Sequence, residues 1–341
     1  MARAKKVILI TFLLTMVTAI GASARPASLF RFDEPSFMGF RDGITAIKLE
    51  GKWGGVNAGG DILIPGQYEY PFYFSEGLAA VGIGNKWGFI DKTGALVIPY
   101  QYDMAVSFSE GLAAVSRGNK WGYIDKTGRE AIPCQFDHAS SFREGLAAVK
   151  LNNRWSYIDH TGAVAIPRQF DFAFEFREGL AAVCTDRGWG FIDKTGKEAI
   201  PCQYELAFGF SEGLSPVKAH GKWGYIDKRG NTIIPFLYEA ANSFREGLAP
   251  VKSRNKWGYI DRSGKVKVAF AYDGADVFQE GLAAVAVNHR WGYVNPKGDL
   301  AIPVQYEYAL SFSEGFAFAG LNGKWGIIDK TGRALPWSLI Q

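Results

Sequence analysis

The chain has 341 residues, of which 48% are hydrophobic, 15% aromatic and 21% charged, and its formal net charge at pH 7 is +4. This length and hydrophobic content suffice to bury a large core and exclude a disordered polymer. Lys and Arg recur together with Asp and Glu and form no run of one sign, so the charge pattern predicts no nucleic-acid partner.

The first 24 residues have the pattern of a cleavable signal peptide. Arg3, Lys5 and Lys6 precede an apolar run that begins at Val7, and the small residues Ala22-Ser23-Ala24 follow it. The alternative is an uncleaved anchor, but the run of about 16 residues is short for a span that needs roughly 20. Cleavage after Ala24 lowers the formal net charge from +4 to +1. We therefore expect an exported protein, periplasmic or extracellular, that does not span a membrane after cleavage.

After a predicted linker at 25–39, one segment is repeated with a period of 34 residues and no insertion. Such a period indicates a repeat architecture with one continuous core. The structural signature is a tryptophan in every unit: Trp53, Trp87, Trp121, Trp155, Trp189, Trp223, Trp257, Trp291 and Trp325. We place a single β domain of nine units at 40–337, followed by a tail at 338–341.

The unit at 108–137 predicts three short strands, at 112–115, 120–125 and about 130–132. A four-residue loop, 116–119, joins the first two, and a type I turn at 125–128 joins the second and third. In the middle strand both faces are apolar, and we expect Gly122 to leave room for an aromatic side chain of the adjacent unit. The segment after each Pro is predicted as an irregular connector with room for a fourth short strand.

These features predict an all-β fold in which nine three-stranded β-meander units stack in propeller-like fashion. Both faces of each unit need a neighbour, which favours face-to-face stacking. Propellers typically have 4–8 four-stranded blades, and whole units at both ends leave no split blade to fasten a ring. An open superhelical β-solenoid is therefore the alternative.

The segments "NKWGYIDKTG" (119–128), "QYD" (101–103) and "FSEGLAAV" (108–115) resemble the WG-repeat, or KWG-repeat, family of bacterial proteins. The resemblance covers about 40–337. It implies a β-structured repeat array, often exported, with an interaction role and no established enzymatic activity. This sequence departs from the motif at Ser156, at Gly188 and at 295–298.

No segment predicts catalysis, and we expect no catalytic residue, no cofactor and no metal site. The stretch "GFSEG" (209–213) matches a nucleophile elbow but is a local variant of the repeat. The four histidines occupy different repeat positions without metal-ligand spacing, and Cys134, Cys184 and Cys202 are interpreted as small buried side chains. The acid that recurs before each glycine either forms a ladder that attracts cations or a basic partner, or supports its neighbouring turn or pairs with the repeat Lys. We favour the second, structural interpretation.

Specific binding should occur where the units differ, which is in the hairpin loops. Candidate rim residues are Arg117, Asn152, Asp186, His220, Arg254 and His289. The resulting hypothesis is a non-enzymatic scaffold that binds an unidentified protein partner. The alternative is an envelope glycan-binding module that stacks sugars on a recurring ring: Tyr68, Tyr102, Phe136, Phe170, Tyr204, Tyr238, Tyr272 and Tyr306.

Overall fold

The computed structural model describes residues 33–335, without the side chains of Arg168 and Gln169. The predicted signal peptide at 1–24 and the tail at 338–341 lie outside the described residues. Within 33–335 the chain forms nine antiparallel sheets, one after another, that close into a ring. The fold is a nine-bladed β-propeller, and the predicted propeller-like stacking of nine units is confirmed.

Most blades are meanders in which an inner, a first, a middle and an outer strand follow one another. In blade 2 the short strand Phe74–Ser75 pairs instead with Ala79 and Leu78 across the Glu76-Gly77 turn. The first five blades are blade 1 with β1 (Glu34–Pro35), β2 (Ile44–Leu49), β3 (Lys52–Asn57) and β4 (Ile62–Tyr68), blade 2 with β5 (Phe74–Ser75), β6 (Leu78–Ile83), β7 (Lys86–Ile90) and β8 (Leu96–Tyr102), blade 3 with β9 (Met104–Ala105), β10 (Leu112–Arg117), β11 (Lys120–Asp125) and β12 (Glu130–Phe136), blade 4 with β13 (His138–Ala139), β14 (Ala147–Leu151), β15 (Arg154–Ile158) and β16 (Val164–Phe170), and blade 5 with β17 (Phe172–Ala173), β18 (Leu180–Thr185), β19 (Gly188–Asp193) and β20 (Glu198–Tyr204).

The other four are blade 6 with β21 (Leu206–Ala207), β22 (Leu214–Ala219), β23 (Lys222–Asp227) and β24 (Thr232–Tyr238), blade 7 with β25 (Ala240–Ala241), β26 (Leu248–Ser253), β27 (Lys256–Asp261) and β28 (Val266–Tyr272), blade 8 with β29 (Gly274–Ala275), β30 (Ala283–Val287), β31 (Arg290–Val294) and β32 (Leu300–Tyr306), and blade 9 with β33 (Tyr308–Ala309), β34 (Phe316–Leu321) and β35 (Lys324–Asp329). Blade 9 has three strands in the described part of the chain. No helix within 33–335 has the length and apolar character needed to cross a membrane.

The inner strand shifts the blade boundary relative to the sequence repeat. In blade 4 it is His138–Ala139, which pairs with Lys150 and Val149 of β14 although it follows directly on the outer strand of blade 3. In blade 1 it is Glu34–Pro35, inside the segment that the sequence indicated as linker. The optional fourth strand is thus present, and part of the predicted linker belongs to the first blade.

The outer strand is longer than predicted and bulges over the middle strand. Between the pairs Trp121–Phe136 and Tyr123–Ile132 the outer strand carries two extra residues, and Pro133 lies in this bulge. A proline is tolerated there because an edge strand needs no further N–H donor. The bulge brings backbone to 2.5 Å from where a Cβ of Gly122 would stand. The expected role of Gly122 is therefore wrong, since it accommodates its own outer strand and not a ring of the adjacent blade.

The hairpin between the first and middle strands has a two-residue turn instead of the predicted four-residue loop. Gly118 and Asn119 both have positive φ, 56° and 64°, as a type I′ turn requires. Ser116 and Arg117 consequently belong to strand β10.

Adjacent blades pack through opposite faces of their middle strands. Tyr123 of blade 3 lies in one cluster with Val149 and Ile158 of blade 4, whereas Ile124 packs with Phe89 and Ile98 of blade 2. Both Tyr123 and Ile124 are buried. Every blade therefore needs a neighbour on each side, and the ring supplies it.

Blade 9 packs against blade 1, which closes the ring. Phe40 lies 5.6 Å from Phe316 and 5.7 Å from Phe318, measured between ring centroids. The Phe40 N–H donates to Ser313 Oγ at 2.7 Å. These contacts exclude the open solenoid.

Candidate functional site

The ring has two faces that carry different turns. Each first strand runs from a turn of an acidic residue and glycine, such as Glu144-Gly145, to a hairpin tip, such as Asn152-Asn153. The tips form what we call the hairpin face, and the Glu-Gly turns form the acidic-turn face at the opposite end of the strands. The turn between middle and outer strands lies on the acidic-turn face, because the middle strand runs back.

The recurring acids join consecutive blades on the acidic-turn face. The Glu76 carboxylate accepts a hydrogen bond from the Gly111 N–H at 3.1 Å, and the same contact recurs one unit later between Glu110 and Gly145 at 3.0 Å. In a ring of blades, the distance between equivalent atoms of adjacent blades increases with their distance from the ring axis. Because equivalent turns of adjacent blades are close enough to hydrogen-bond to one another, these turns lie near the axis. Each acid adopts positive φ, 54° at Glu110, a conformation that costs about 1 kcal/mol. The contact with the next blade offsets that cost.

Most of these acids also contact a lysine or histidine side chain of the following unit. The contacts are Lys92 with Asp42, Lys126 with Glu76, His160 with Glu110, Lys194 with Glu144, Lys228 with Glu178 and Lys330 with Glu280. Burial acts to raise the pKa of Glu76, but the hydrogen bonds from Lys126 and the Gly111 N–H outweigh it and lower the pKa. The acids support their neighbouring turns, as the favoured interpretation has it.

The aspartate of the "DKTG" segment holds its own turn. Asp125 Oδ1 accepts from the N–H and the hydroxyl of Thr127 and from the Arg129 N–H, at 2.6–3.0 Å. These bonds lower the pKa of Asp125, the hydroxyl of Thr127 contributing most. Asn295 makes the same backbone contacts through its amide oxygen. The Gly128 N–H also donates to the Asp125 carbonyl at 2.9 Å, so the turn predicted at 125–128 is present.

The six candidate rim residues are all exposed on the hairpin face. Asn152, Asp186, His220, Arg254 and His289 stand in the two-residue turns, whereas Arg117 ends strand β10. The Arg117 guanidinium lies 4.7 Å from the centre of the Tyr102 ring and donates to Gln101 Oε1 at 2.7 Å. The structure thus places these residues on one face, at the tips of different blades.

Sequence reasoning missed a second variable position on this face, the repeat position at which the inner strand begins in blades 3 to 9; in blade 2 the same repeat position lies in a bend. Its occupants are Tyr70, Met104, His138, Phe172, Leu206, Ala240, Gly274 and Tyr308. We call the first four, on blades 2–5, the inner arc. Tyr70 is 44% exposed, Met104 52% and Phe172 39%. The sequence did contain a signal for this surface: the residues at this position vary widely in size. The position was overlooked because its segment was predicted to be an irregular connector.

The repeat tryptophans form the floor of the inner arc. Tyr70 stacks on Trp87 with centroids 5.1 Å apart, and His138 lies between Trp121 and Trp155 at 5.5 and 5.2 Å. Phe172 continues the series, 5.4 Å from Trp155. Tyr70 and Trp87 are stacked, whereas the other three pairs are tilted by 32–57°, so the arc offers aromatic rings and the Met104 side chain to a partner.

The rings on which the glycan alternative rests do not form an open row. Tyr272 is half-buried, and the other seven are buried. They pack inside and between blades, so sugar rings have no access to their faces. That alternative therefore loses the observation that motivated it.

The remaining residues that can act as nucleophiles or metal ligands are Ser211 of the "GFSEG" segment, the cysteines and the histidines. Ser211 of "GFSEG" donates its hydroxyl to the Phe244 carbonyl at 2.7 Å. Cys202 is buried, but Cys134 and Cys184 are half-buried, so the interpretation of all three as buried is wrong for two of them. Within 33–335, no three His, Cys, Asp or Glu side chains are grouped in a way that could hold a metal ion.

Comparisons with known proteins agree with the repeat seen in the sequence. A family model described as "WG containing repeat" matches residues 54–87, 87–121, 121–155, 155–187, 189–223, 223–257, 257–288 and 291–325. The comparison with curated proteins gives no match.

The chain is similar to solved structures at low sequence identity, and the first of the three that follow has a TM-score above 0.5. A eukaryotic initiation factor is 12% identical, with 85% of this chain and 93% of that chain covered and a TM-score of 0.61. The C-terminal WD40 domain of Sif2 is 10% identical over 88% of this chain and 95% of that chain, with a TM-score of 0.44. PorZ, a surface component of the type-IX secretion system of Porphyromonas gingivalis, is 11% identical over 88% and 45%, with a TM-score of 0.34. Likeness at this level of identity concerns the fold alone.

Proposed function

The chain belongs to the WG-repeat family, and from that premise we propose that it is an exported, non-enzymatic scaffold that binds a protein partner through the hairpin face. The observation that carries the proposal is the inner arc. It is an exposed, largely apolar strip at a repeat position whose residues range in size from Gly to Tyr.

The surroundings of the inner arc fit a protein-binding surface. Exposed apolar groups bordered by polar residues are typical of protein interaction sites. Here the arc is bordered by hairpin tips of variable sequence, among them Arg117, Asn152 and Asp186. Aromatic residues, Met and Arg are the types that interfaces favour.

Export and the absence of catalysis are further parts of the proposal. Export is supported by the basic, apolar and small-residue segments of 1–24. A binding role without catalysis is supported by the use of the recurring Asp and Glu as turn and blade contacts. Cell fractionation of the full chain and of a chain without 1–24 tests export, because the shortened chain should remain in the cytoplasm.

The binding proposal is tested by affinity capture from the envelope fraction of the native host. The bait is the wild-type chain or the double variant Met104→Ser, Phe172→Ser. These substitutions remove the exposed apolar groups of the arc and leave the tryptophans below them in place. We expect one or more proteins to be captured by the wild type and lost from the variant.

The matched control is the double variant Val164→Ser, Leu237→Ser. These residues are 59% and 64% exposed on outer strands, away from the arc. The control should retain the captured protein. Equal capture by all three baits, or equal loss from both variants, would contradict the proposal, and circular dichroism verifies that each variant is folded.

A further inference from the structure

A cavity of about 400 Å³ lies on the acidic-turn face, beside the ring axis. Four consecutive units line it, with the residues Glu110, Arg143, Glu144, Arg177, Glu178, Phe210 and Ser211. This volume lies in the range of small-ligand sites. The cavity belongs to the face opposite the inner arc and takes no part in the function proposed above.

The three carboxylates of the cavity already have partners. Glu110 accepts from Gly145, Glu144 from Gly179 and Glu178 from Gly213, each at 3.0 Å through the backbone N–H. Each also contacts a cationic or imidazole group at its outer side: His160, Lys194 and Lys228. Ser211 donates its hydroxyl to a backbone carbonyl of the next unit. The acceptors of the cavity are therefore largely occupied.

The two arginines differ in their partners. Arg143 Nε donates a hydrogen bond at 3.0 Å to Oε2 of Glu175, which lies between strands β17 and β18. Arg177 stands at the same repeat position one unit later, where the residue equivalent to Glu175 is Gly209. The Arg177 side chain crosses Gly209 so closely that a Cβ there would lie 2.8 Å from Arg177 Cδ. Among the described side chains, Arg177 has no carboxylate partner.

We propose that this cavity binds a carboxylate, held by the Arg177 guanidinium next to Arg143. The class of ligand follows from the hydrogen-bond donors of Arg177, which have no carboxylate partner among the described side chains. The arginine guanidinium only donates hydrogen bonds, and its planar, forked arrangement of N–H groups suits a carboxylate. In the unit of Arg143, the Glu175 carboxylate fills this role. In the next unit, Gly209 stands in place of Glu175 and has no side chain to do so. The carboxylate comes from an acidic side chain of a peptide or from a small free acid.

The test is isothermal titration calorimetry of the purified chain at constant ionic strength. Succinate represents a free acid, and an acetylated, amidated Gly-Glu-Gly peptide represents an acidic side chain. We expect millimolar or tighter binding of at least one probe, and the stronger of the two identifies the source. Arg177→Gln should weaken that binding about tenfold or more, because it removes a charge-assisted hydrogen-bond pair.

Two further variants make the test specific. Gly209→Glu recreates the Arg143–Glu175 arrangement at Arg177 and should abolish binding, whereas Gly209→Ala, which supplies no carboxylate, should retain more of it. Arg245→Gln is the matched control, since Arg245 occupies the same repeat position two units on and does not line the cavity. The proposal is overturned if neither probe binds, if Arg177→Gln binds as the wild type does, or if Arg245→Gln weakens binding equally. None of these variants touches the hairpin face, so this outcome is independent of the partner-capture experiment.

Discussion

The Glu314 carboxylate accepts a hydrogen bond from the Gly43 N–H at 2.8 Å, although the two residues are 271 positions apart in the sequence. It is the same contact that Glu110 makes with Gly145 one unit away, continued across the two ends of the chain. Lys324 adds an ion pair with Asp33 at 2.6 Å. The seam between blades 9 and 1 therefore has the carboxylate–glycine contact found at most other blade junctions, but the chain does not run through it.

Phe40→Ala should open this seam. Phe40 is 2% exposed between Phe316 and Phe318, and truncation of a buried phenylalanine costs about 3–5 kcal/mol. Hydrogen exchange should show lost protection in blades 1 and 9 first. Phe210→Ala is the control, because Phe210 is as deeply buried but lies at a junction where the chain is continuous. If both variants lose protection in the same blades, the seam is not a separate point of weakness.

Acid should destabilise the ring through its inter-blade carboxylates. For Glu76, Glu144 and Glu280, partial burial opposes ionisation, but bonds from lysines and glycine N–H groups lower each pKa below 4.5. A lowered folded-state pKa gives stability that is present above the unfolded value and lost as pH falls through the folded value. The temperature of the unfolding midpoint should therefore decrease once the pH is lowered below about 4.5. Circular dichroism melts from pH 7 downward measure this.

The triple variant Glu76→Gln, Glu144→Gln, Glu280→Gln separates this effect from general acid denaturation. Glutamine keeps an acceptor for the glycine N–H but does not titrate. The variant should be less stable than the wild type at neutral pH and should lose less stability on acidification. An unchanged pH profile would show that these three groups do not govern the acid response.

Gly122→Ala should be destabilising although the residue is small and the strand is regular. The new Cβ would lie 2.5 Å from the Ile132 carbonyl oxygen and 2.7 Å from the Cys134 nitrogen, so backbone must move. Overpacking of this kind costs about 1–3 kcal/mol, to be measured by denaturant unfolding. Ser156→Ala is the control, since unit 4 already has a side chain at this position. A loss as large in the control would show that the bulge over Gly122 is not the cause.

The sequence predicts those parts of the fold that lie within one unit. The 34-residue spacing from Trp53 to Trp325 determines the number of blades, and the turn at Asp125 follows from local hydrogen bonding. Ring closure does not follow, because it depends on contacts such as Phe40 with Phe318 that no local pattern encodes. The two-residue inner strands are too short to give a periodic signal.

The two candidate sites illustrate the same limit. Phe172 is exposed because its segment pairs with Val183 and Cys184 as an inner strand, which places it at the mouth of the hairpin face. Among the described side chains Arg177 has no carboxylate partner, because the residue 32 positions further on is glycine. Both properties depend on residues of two consecutive sequence units, so a single unit cannot reveal them.

His138 should titrate below the ordinary histidine range. Its ring lies between Trp121 and Trp155, and burial together with the charge of Lys150 lowers its pKa below 6.5. A lowered histidine pKa means that the folded protein favours the neutral ring, so this group costs stability as pH falls through 6.5 toward the folded value. Nuclear magnetic resonance of the imidazole protons over a pH series measures the pKa directly. Lys150→Gln should raise it part of the way toward 6.5, while Lys218→Gln, the same repeat position two blades away, should leave it unchanged. A pKa at or above 6.5 in the wild type would show that the ring is not enclosed between the two tryptophans in solution.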